Sequence, residues 1–343
     1  MPYIEFGCLP IAIGSMPHTD PSEVCASVSH YLKDIPGWSQ LPKRSFRENM
    51  YAQFSEGFPG VMIEDDKIFV DRSQDLYKSL EKLYAAYLDN DFDKYPISAE
   101  YAAGLHSFLS LANLSPLAVK GQVTGPVTWG LTVADDSHRA IIYDDILGDA
   151  VAKFLRLKAS WQEKALSQIS KNTIIFVDEP YMQSYGSSSF ITFSQDKVMK
   201  LLEEVFSGIS GLKGVHCCGN TDWSVLLETS TDIVSFDAYS YAQSLSLYPA
   251  EVKKFLDRKG TIAWGIVPNQ EESLAKETVA SLKDRLEEAM APFTRKGIRF
   301  KQLIEQGLLT SSCGLGAIAT DEAAARALEL LADLSVKIRK SYM

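Results

Sequence analysis

Most of the chain beyond residue 116 alternates between short apolar runs and longer amphipathic segments. Such runs predict strands and such segments predict helices, as in the strand at residues 172–180 and the helix at 196–209. At least six strand–helix units follow one another, which predicts a parallel sheet. The other strands are predicted within residues 117–130, 211–220, 231–241, 261–269 and 308–318, and the other long helices within 145–169, 276–297 and 321–342.

The closed form of such a sheet suits this chain better than the open form. No GxGxxG motif follows any predicted strand, so the open dinucleotide-binding fold loses its main support. The 343 residues suit one α/β barrel as well as two smaller domains. We therefore expect residues 1–343 to form a single (β/α)8 barrel, with no linker inside it.

Composition restricts the partners and the compartment. A formal net charge of −10 disfavours nucleic acid or a membrane surface as the main partner. No run of 18 apolar residues occurs, and the N-terminus lacks the basic start of a signal peptide. Five cysteines without an export signal fit reduced thiols better than a disulfide framework. We expect a cytoplasmic protein whose main partners are small molecules or another protein.

Polar residues collect where the predicted strands end. In a (β/α)8 barrel the carboxyl ends of the strands form the functional face, so these residues are candidate site residues. The set comprises Ser15, Asp178, Glu179, His216, Cys218, Asp237 and Cys313. The pair Asp178–Glu179 precedes Pro180, so an ordinary turn or a helix cap also explains it.

The stretch GVHCCGNTDW, residues 214–223, contains the most specific pattern. Residues two apart on a strand point to the same side, so His216 and Cys218 can face one cation while Cys217 turns away. Zinc binds imidazole and thiolate ligands, and Cys313 from another strand end could be a third. A cysteine is also commonly buried as a small apolar residue, and that alternative stays open for Cys313. A redox pair is disfavoured because CxxC is absent.

The motifs HCCGNT (216–221) and SSCGLG (311–316) resemble the zinc motif of thiol methyltransferases in the uroporphyrinogen decarboxylase superfamily. That group includes methylcobalamin:coenzyme M methyltransferases and the catalytic half of cobalamin-independent methionine synthase. Residues 12–21, 121–130 and 176–182 resemble further motifs of the methionine synthase side. The resemblance runs from about residue 10 to about residue 330.

The resemblance implies a chemistry and a site. The chain would transfer a methyl group to the thiol of homocysteine, giving methionine, with one zinc ion per chain. The implied ligands are His216, Cys218 and Cys313, and Asp237 falls near an acidic ligand of the family with a shifted spacing. For the substrate, the resemblance implies Asp178 at the amino group and Ser15 at the carboxylate, with Glu179 beside Asp178.

Departures from the family pattern bear on the methyl donor. The full-length folate-dependent enzyme has two barrels, and this chain matches only the catalytic one. Residues 265–269 lack the family's histidine, and residues 41–46 lack a glutamate expected at the substrate amine. Since a corrinoid leaving group needs no proton, the expected donor is a methyl-corrinoid, free or on a corrinoid carrier protein. Three alternatives stay open: a coenzyme M methyltransferase, a metal-free porphyrinogen decarboxylase, and a zinc or corrinoid carrier without catalytic activity.

Overall fold

The computed structural model describes residues 4–73, 75–112, 114–185 and 194–343. The strands are β1 Leu9–Pro10, β2 Val61–Glu64, β3 Lys67–Val70, β4 Val119–Thr124, β5 Ala134–Asp135, β6 Thr173–Asp178, β7 Leu212–Cys217, β8 Ile233–Phe236, β9 Thr261–Val267 and β10 Gly307–Ser311. The helices are α1 Pro21–Tyr31, α2 Met50–Gln53, α3 Leu76–Leu88, α4 Ala103–Leu109, α5 Pro126–Thr132, α6 Asp145–Leu166, α7 Gln195–Phe206, α8 Trp223–Glu228, α9 Ala238–Ser246, α10 Pro249–Asp257, α11 Glu271–Leu274, α12 Val279–Arg295, α13 Phe300–Glu305 and α14 Asp321–Tyr342. None of these helices is long and apolar enough to cross a bilayer.

The main sheet is a curled parallel sheet of seven strands in the order β1–β10–β9–β8–β7–β6–β4. Strands β2, β3 and β5 form a separate three-stranded sheet. The predicted α/β class and the parallel sheet are therefore confirmed.

The predicted strand at 231–241 ends earlier, at Phe236, because the Asp237 side chain caps α9. The predicted strand within 117–130 ends at Thr124, and helix α5 follows it from Pro126, a favourable first helical position.

The two faces of the main sheet build two separate cores. Alternate strand residues point to opposite faces, so Ile174 and Phe176 share one face of β6 while Ile175 and Val177 share the other. Ile174 and Phe176 belong to a small apolar cluster that contains strand residues and no helix residue, which places it inside the curl. The opposite face packs against the helices in one large cluster.

The gap between the sheet edges β1 and β4 is crossed by the segment 36–40. Lys120 N donates to Pro36 O at 3.0 Å, and Gln40 N donates to Gly14 O at 3.1 Å. These contacts are isolated bridges, and the described residues form no complete eighth strand there. The structure therefore shows seven of the eight expected strands, with a connecting segment at the position of the missing one.

Candidate metal and substrate site

A pocket of about 450 Å³ opens at the carboxyl ends of the sheet strands. Its walls come from the segments that follow β1, β6, β7, β9 and β10, together with the region around α2. The lining residues that carry polar side chains are Ser15, Gln40, Glu48, Asn49, Tyr51, Asp178, His216, Cys218, Asn269 and Cys313. The pocket thus contains five of the seven candidate site residues.

One wall of the pocket brings together His216, Cys218 and Cys313. One ligand atom from each side chain lies within 4.8 Å of the others. His216 and Cys218 face the pocket from the end of β7, whereas Cys217 is fully buried in the outer core. This alternation follows from the period of two along a strand. Cys313 reaches the same point from the end of β10, so three donors from distant parts of the chain converge.

The His216 ring is held in an orientation that suits a metal ligand. Its Nδ1 lies 2.9 Å from Ser235 Oγ, while the buried Nε2 has no hydrogen-bond partner among the described residues. Buried polar atoms are rarely left unpaired. Metal-binding histidines commonly use one ring nitrogen for the metal and donate from the other to a nearby acceptor. Two sulfurs and one imidazole nitrogen form a donor set that zinc prefers, so these residues fit that ion.

The pKa values of the two thiols at this wall are shifted in opposite directions. A hydrogen bond from Cys313 lowers the pKa of the Cys218 thiol, and the neighbouring His216 lowers it further. The same contact with Cys218 raises the pKa of Cys313, and burial adds to that shift. These shifts favour the thiolate form at Cys218, which is the form that binds a cation.

Two carboxylates, each with one unpaired buried oxygen, face the same pocket. Asp178 Oδ1 and Glu48 Oε2 are buried and accept no hydrogen bond from the described chain. The other oxygen of Glu48 accepts a bond from Arg44 Nη1 at 2.6 Å. Burial raises the pKa of both carboxyl groups, while Lys120 opposes this shift at Asp178 and Arg44 opposes it at Glu48. Two buried acceptors with free lone pairs suit a cationic group such as an ammonium.

The sequence motifs did not identify Glu48 as a pocket residue. A glutamate was expected within residues 41–46, but the carboxylate that lines the pocket comes slightly later, from a short 3-10 helix at Phe46–Glu48. Asn269 also lines the pocket, at the end of the segment where the family's histidine is absent. Its side chain accepts from Ser312 Oγ at 3.0 Å. An amide at this place can orient a ligand but cannot donate a proton as an acid.

Ser15 lies where the segment after β1 meets the loop after β10. Its carbonyl accepts from Leu315 N at 2.8 Å, and its hydroxyl lies 3.4 Å from Gly316 N. A Cβ atom at Gly314 would come within 2.1 Å of Ser15 Oγ, so a larger residue there would require the Ser15 hydroxyl to move. The two loops therefore interlock, and Ser15 and Cys313 share one rim of the pocket.

Asp237 and Glu179 are not brought into the group of donors. Asp237 lies outside the His216–Cys218–Cys313 cluster, and its carboxylate accepts from Ser240 N at 2.7 Å as the cap of α9. Burial raises its pKa, and the charge of Cys218 adds to the shift. Glu179 points to the opposite face of β6, where its two oxygens accept from Val127 N, Thr128 N and Thr128 Oγ1 at 2.6–2.9 Å. Glu179 therefore lies outside the pocket, whereas Asp178 lines it.

We expect Glu179→Ala to destabilise the fold without affecting metal binding. The change leaves three buried donors at the start of α5 without their acceptor, and the expected loss is roughly 2–4 kcal/mol in the free energy of unfolding. Urea denaturation of the wild type and the variant measures it. A variant of wild-type stability that had lost ligand binding would instead place Glu179 in the substrate site.

Comparisons with known proteins give a likeness of fold. No protein-family model and no curated protein sequence matches the chain. Among solved structures, the chain is similar to the crystal structure of the "Putative Vitamin-B12 Independent Methionine Synthase" from Listeria monocytogenes, with a TM-score of 0.60 and 14% sequence identity. The match covers 96% of this chain and 98% of that one. The chain therefore shares the architecture of that protein over nearly its whole length.

Proposed function

We propose that this protein is a zinc-dependent methyltransferase that converts homocysteine to methionine, with a methyl-corrinoid as the donor. The observation that carries the proposal is the convergence of His216, Cys218 and Cys313 in a pocket that also holds two carboxylates, each with an unpaired buried oxygen. The fold likeness to the Listeria protein supports it. We further propose that residues 1–343 form one catalytic barrel in the cytoplasm, with segment 36–40 in the eighth position of the sheet.

The zinc ligands in this proposal are His216 Nε2 and the sulfurs of Cys218 and Cys313. Three protein donors leave one tetrahedral position for the substrate, as in other catalytic zinc sites. When bound, zinc would lower the pKa of the substrate thiol, so that the sulfur is a thiolate at neutral pH. Ser235 keeps the His216 ring in place. We retain Asp237 as a candidate fourth ligand that would leave when the thiol arrives.

The remaining pocket residues orient the amino acid. Asp178 and Glu48 would hold the ammonium group with their free oxygens, and Ser15 would donate its hydroxyl hydrogen to the carboxylate. With both charged groups fixed, the sulfur is directed toward the incoming methyl group. A methyl-corrinoid would supply the methyl group to this sulfur, and the corrinoid would depart with the bonding electron pair. This step moves no proton to the leaving group.

The same residues weigh against the alternatives. Coenzyme M carries a sulfonate and no amine, so it would leave the unpaired oxygens of Asp178 and Glu48 without a donor. Decarboxylation of a porphyrinogen needs no metal, which would leave the convergence of three metal-type donors without a role. A carrier without catalytic activity would use the same ligands, and only turnover separates it from an enzyme.

We expect zinc-loaded protein to form methionine from homocysteine and methylcobalamin, and to act far more slowly on coenzyme M. Liquid chromatography with mass detection measures both products, and a reaction without protein is the control. A faster rate with coenzyme M would reject homocysteine as the acceptor. Homocysteine binding without any methionine would identify a carrier.

A further inference from the structure

The buried Lys120 has no place in the proposed reaction. It lies on β4, and its Nζ donates to Ile13 O and, at 2.9 Å, to Gln122 Oε1. Ala118, two residues earlier, belongs to the cluster inside the curl, so Lys120 also points inward. Burying an ammonium group is costly unless its hydrogen bonds are satisfied. A lysine at this interior position therefore needs an explanation beyond packing.

The hydrogen bond from Lys120 to Ile13 O connects Lys120 with the wall of the pocket. Ile13 and Ser15 both line it, and they follow β1, the sheet edge opposite β4. A Cβ atom on Gly14, between them, would lie 3.0 Å from Gln122 Cδ. The backbone that carries Ser15 is thus fixed against Lys120 and Gln122 across the gap between the two sheet edges.

Lys120 places a positive charge near an otherwise acidic pocket. Asp178 and Glu48 are the acidic side chains that line it. The ammonium of Lys120 donates to the carbonyl of Ile13 and lies near enough to Asp178 to oppose the rise in the pKa of that carboxyl group. The ammonium also lies 5.1 Å from the centre of the Phe176 ring, a favourable cation–π contact. Burial lowers the pKa of Lys120 to about 8, and the charge of Asp178 opposes that shift.

We propose that Lys120 is a positioning residue that builds the carboxylate-binding end of the pocket. It holds the Ile13–Ser15 backbone in place and supplies a buried positive charge beneath it. The site therefore selects thiols that carry a carboxylate as well as an amine. This inference rests on the proposed function, since it assigns a substrate carboxylate to the Ser15 side.

The test compares two thiols on zinc-loaded protein by isothermal titration calorimetry. One is homocysteine and the other is 3-aminopropane-1-thiol, which lacks only the carboxylate. For Lys120→Met we expect the Kd of homocysteine to rise roughly 10-fold or more, and the Kd of the amine thiol to stay within about 2-fold. Zinc content is measured in parallel and is expected to match the wild type.

Lys158→Met is the matched control. Lys158 is also a buried lysine that donates to a backbone carbonyl, Pro96 O at 2.6 Å, but it lies on α6 and does not line the pocket. We expect its loss to change stability and to leave the preference for homocysteine unchanged. If Lys120→Met does not fold, Lys120→Gln keeps a donor for Ile13 O without the charge, and a smaller loss of preference is expected.

Each result decides the inference. An unchanged preference in the Lys120 variants, or an equal loss for both thiols, would show that Lys120 only supports the fold. A wild-type protein that binds neither thiol would overturn the proposed function and this inference with it. A wild type that binds both, with a preference that depends on Lys120 and not on Lys158, supports both proposals.

Discussion

Replacing Cys218 or Cys313 by alanine is expected to reduce zinc content from about one ion per chain to almost none. Each change removes one of three converging donors, and two remaining donors do not make a stable tetrahedral site. Methionine formation is expected to fall by roughly 10³-fold or more, because the substrate thiol loses both its deprotonation and its orientation. Elemental analysis and initial rates measure the two effects.

Cys217→Ala provides the matched control for this experiment. Cys217 is adjacent to Cys218 but lies in the outer core, so its loss should leave zinc content unchanged. Asp237→Ala is expected to keep most of the zinc, because the Asp237 carboxylate already caps α9. Full zinc occupancy in both the Cys218 and Cys313 variants would contradict the ligand assignment. Zinc loss in Asp237→Ala as complete as in Cys218→Ala would make Asp237 a permanent ligand.

The second large effect concerns the donor. We expect methyl transfer from methylcobalamin to exceed transfer from methyltetrahydrofolate by roughly 10²-fold or more, because a folate nitrogen must be protonated as it departs. A placed acid contributes roughly 10² to 10⁴-fold to such a step, and the pocket wall has at this place the amide of Asn269, which cannot act as an acid. A corrinoid leaves as Co(I) and needs no acid.

Parallel assays with the two donors at equal homocysteine concentration measure this preference. Asn269→His adds an imidazole to the pocket wall, and we expect it to raise the rate with folate more than the rate with the corrinoid. Comparable rates with both donors in the wild type would reject the corrinoid assignment. They would also mean that another pocket group, such as the Tyr51 hydroxyl, supplies the proton.

Part of the site follows from strand periodicity alone. The period of two places His216 and Cys218 on one side and Cys217 on the other, and the structure has this arrangement. The same rule separates Asp178 from Glu179. Ile174, Phe176 and Asp178 share the inner face, so the next residue must turn outward, toward α5. The prediction that both Asp178 and Glu179 bind the substrate did not take this alternation into account.

Other features depend on contacts that no local pattern reveals. Glu48 lies on a single 3-10 turn without apolar periodicity, and only the fold brings it into the same pocket as Asp178. The segment 36–40 has a loop-like sequence. Long-range hydrogen bonds hold it in place, such as the one that Trp38 Nε1 donates to Gln162 Oε1 at 2.9 Å. The strand order of the sheet was predictable because consecutive parallel strands usually lie side by side.

The position of strand β10 in the sheet also determines when during folding the metal can bind. It pairs with both β9 and β1, so it joins the end of the chain to its beginning, and it is also followed by Cys313. With the proposed ligands, the ion can be captured only after this last strand has docked. Metal loading is then a late event in folding, and the binding free energy stabilises the joined sheet as a whole. A chain released before β10 is made would remain without its metal.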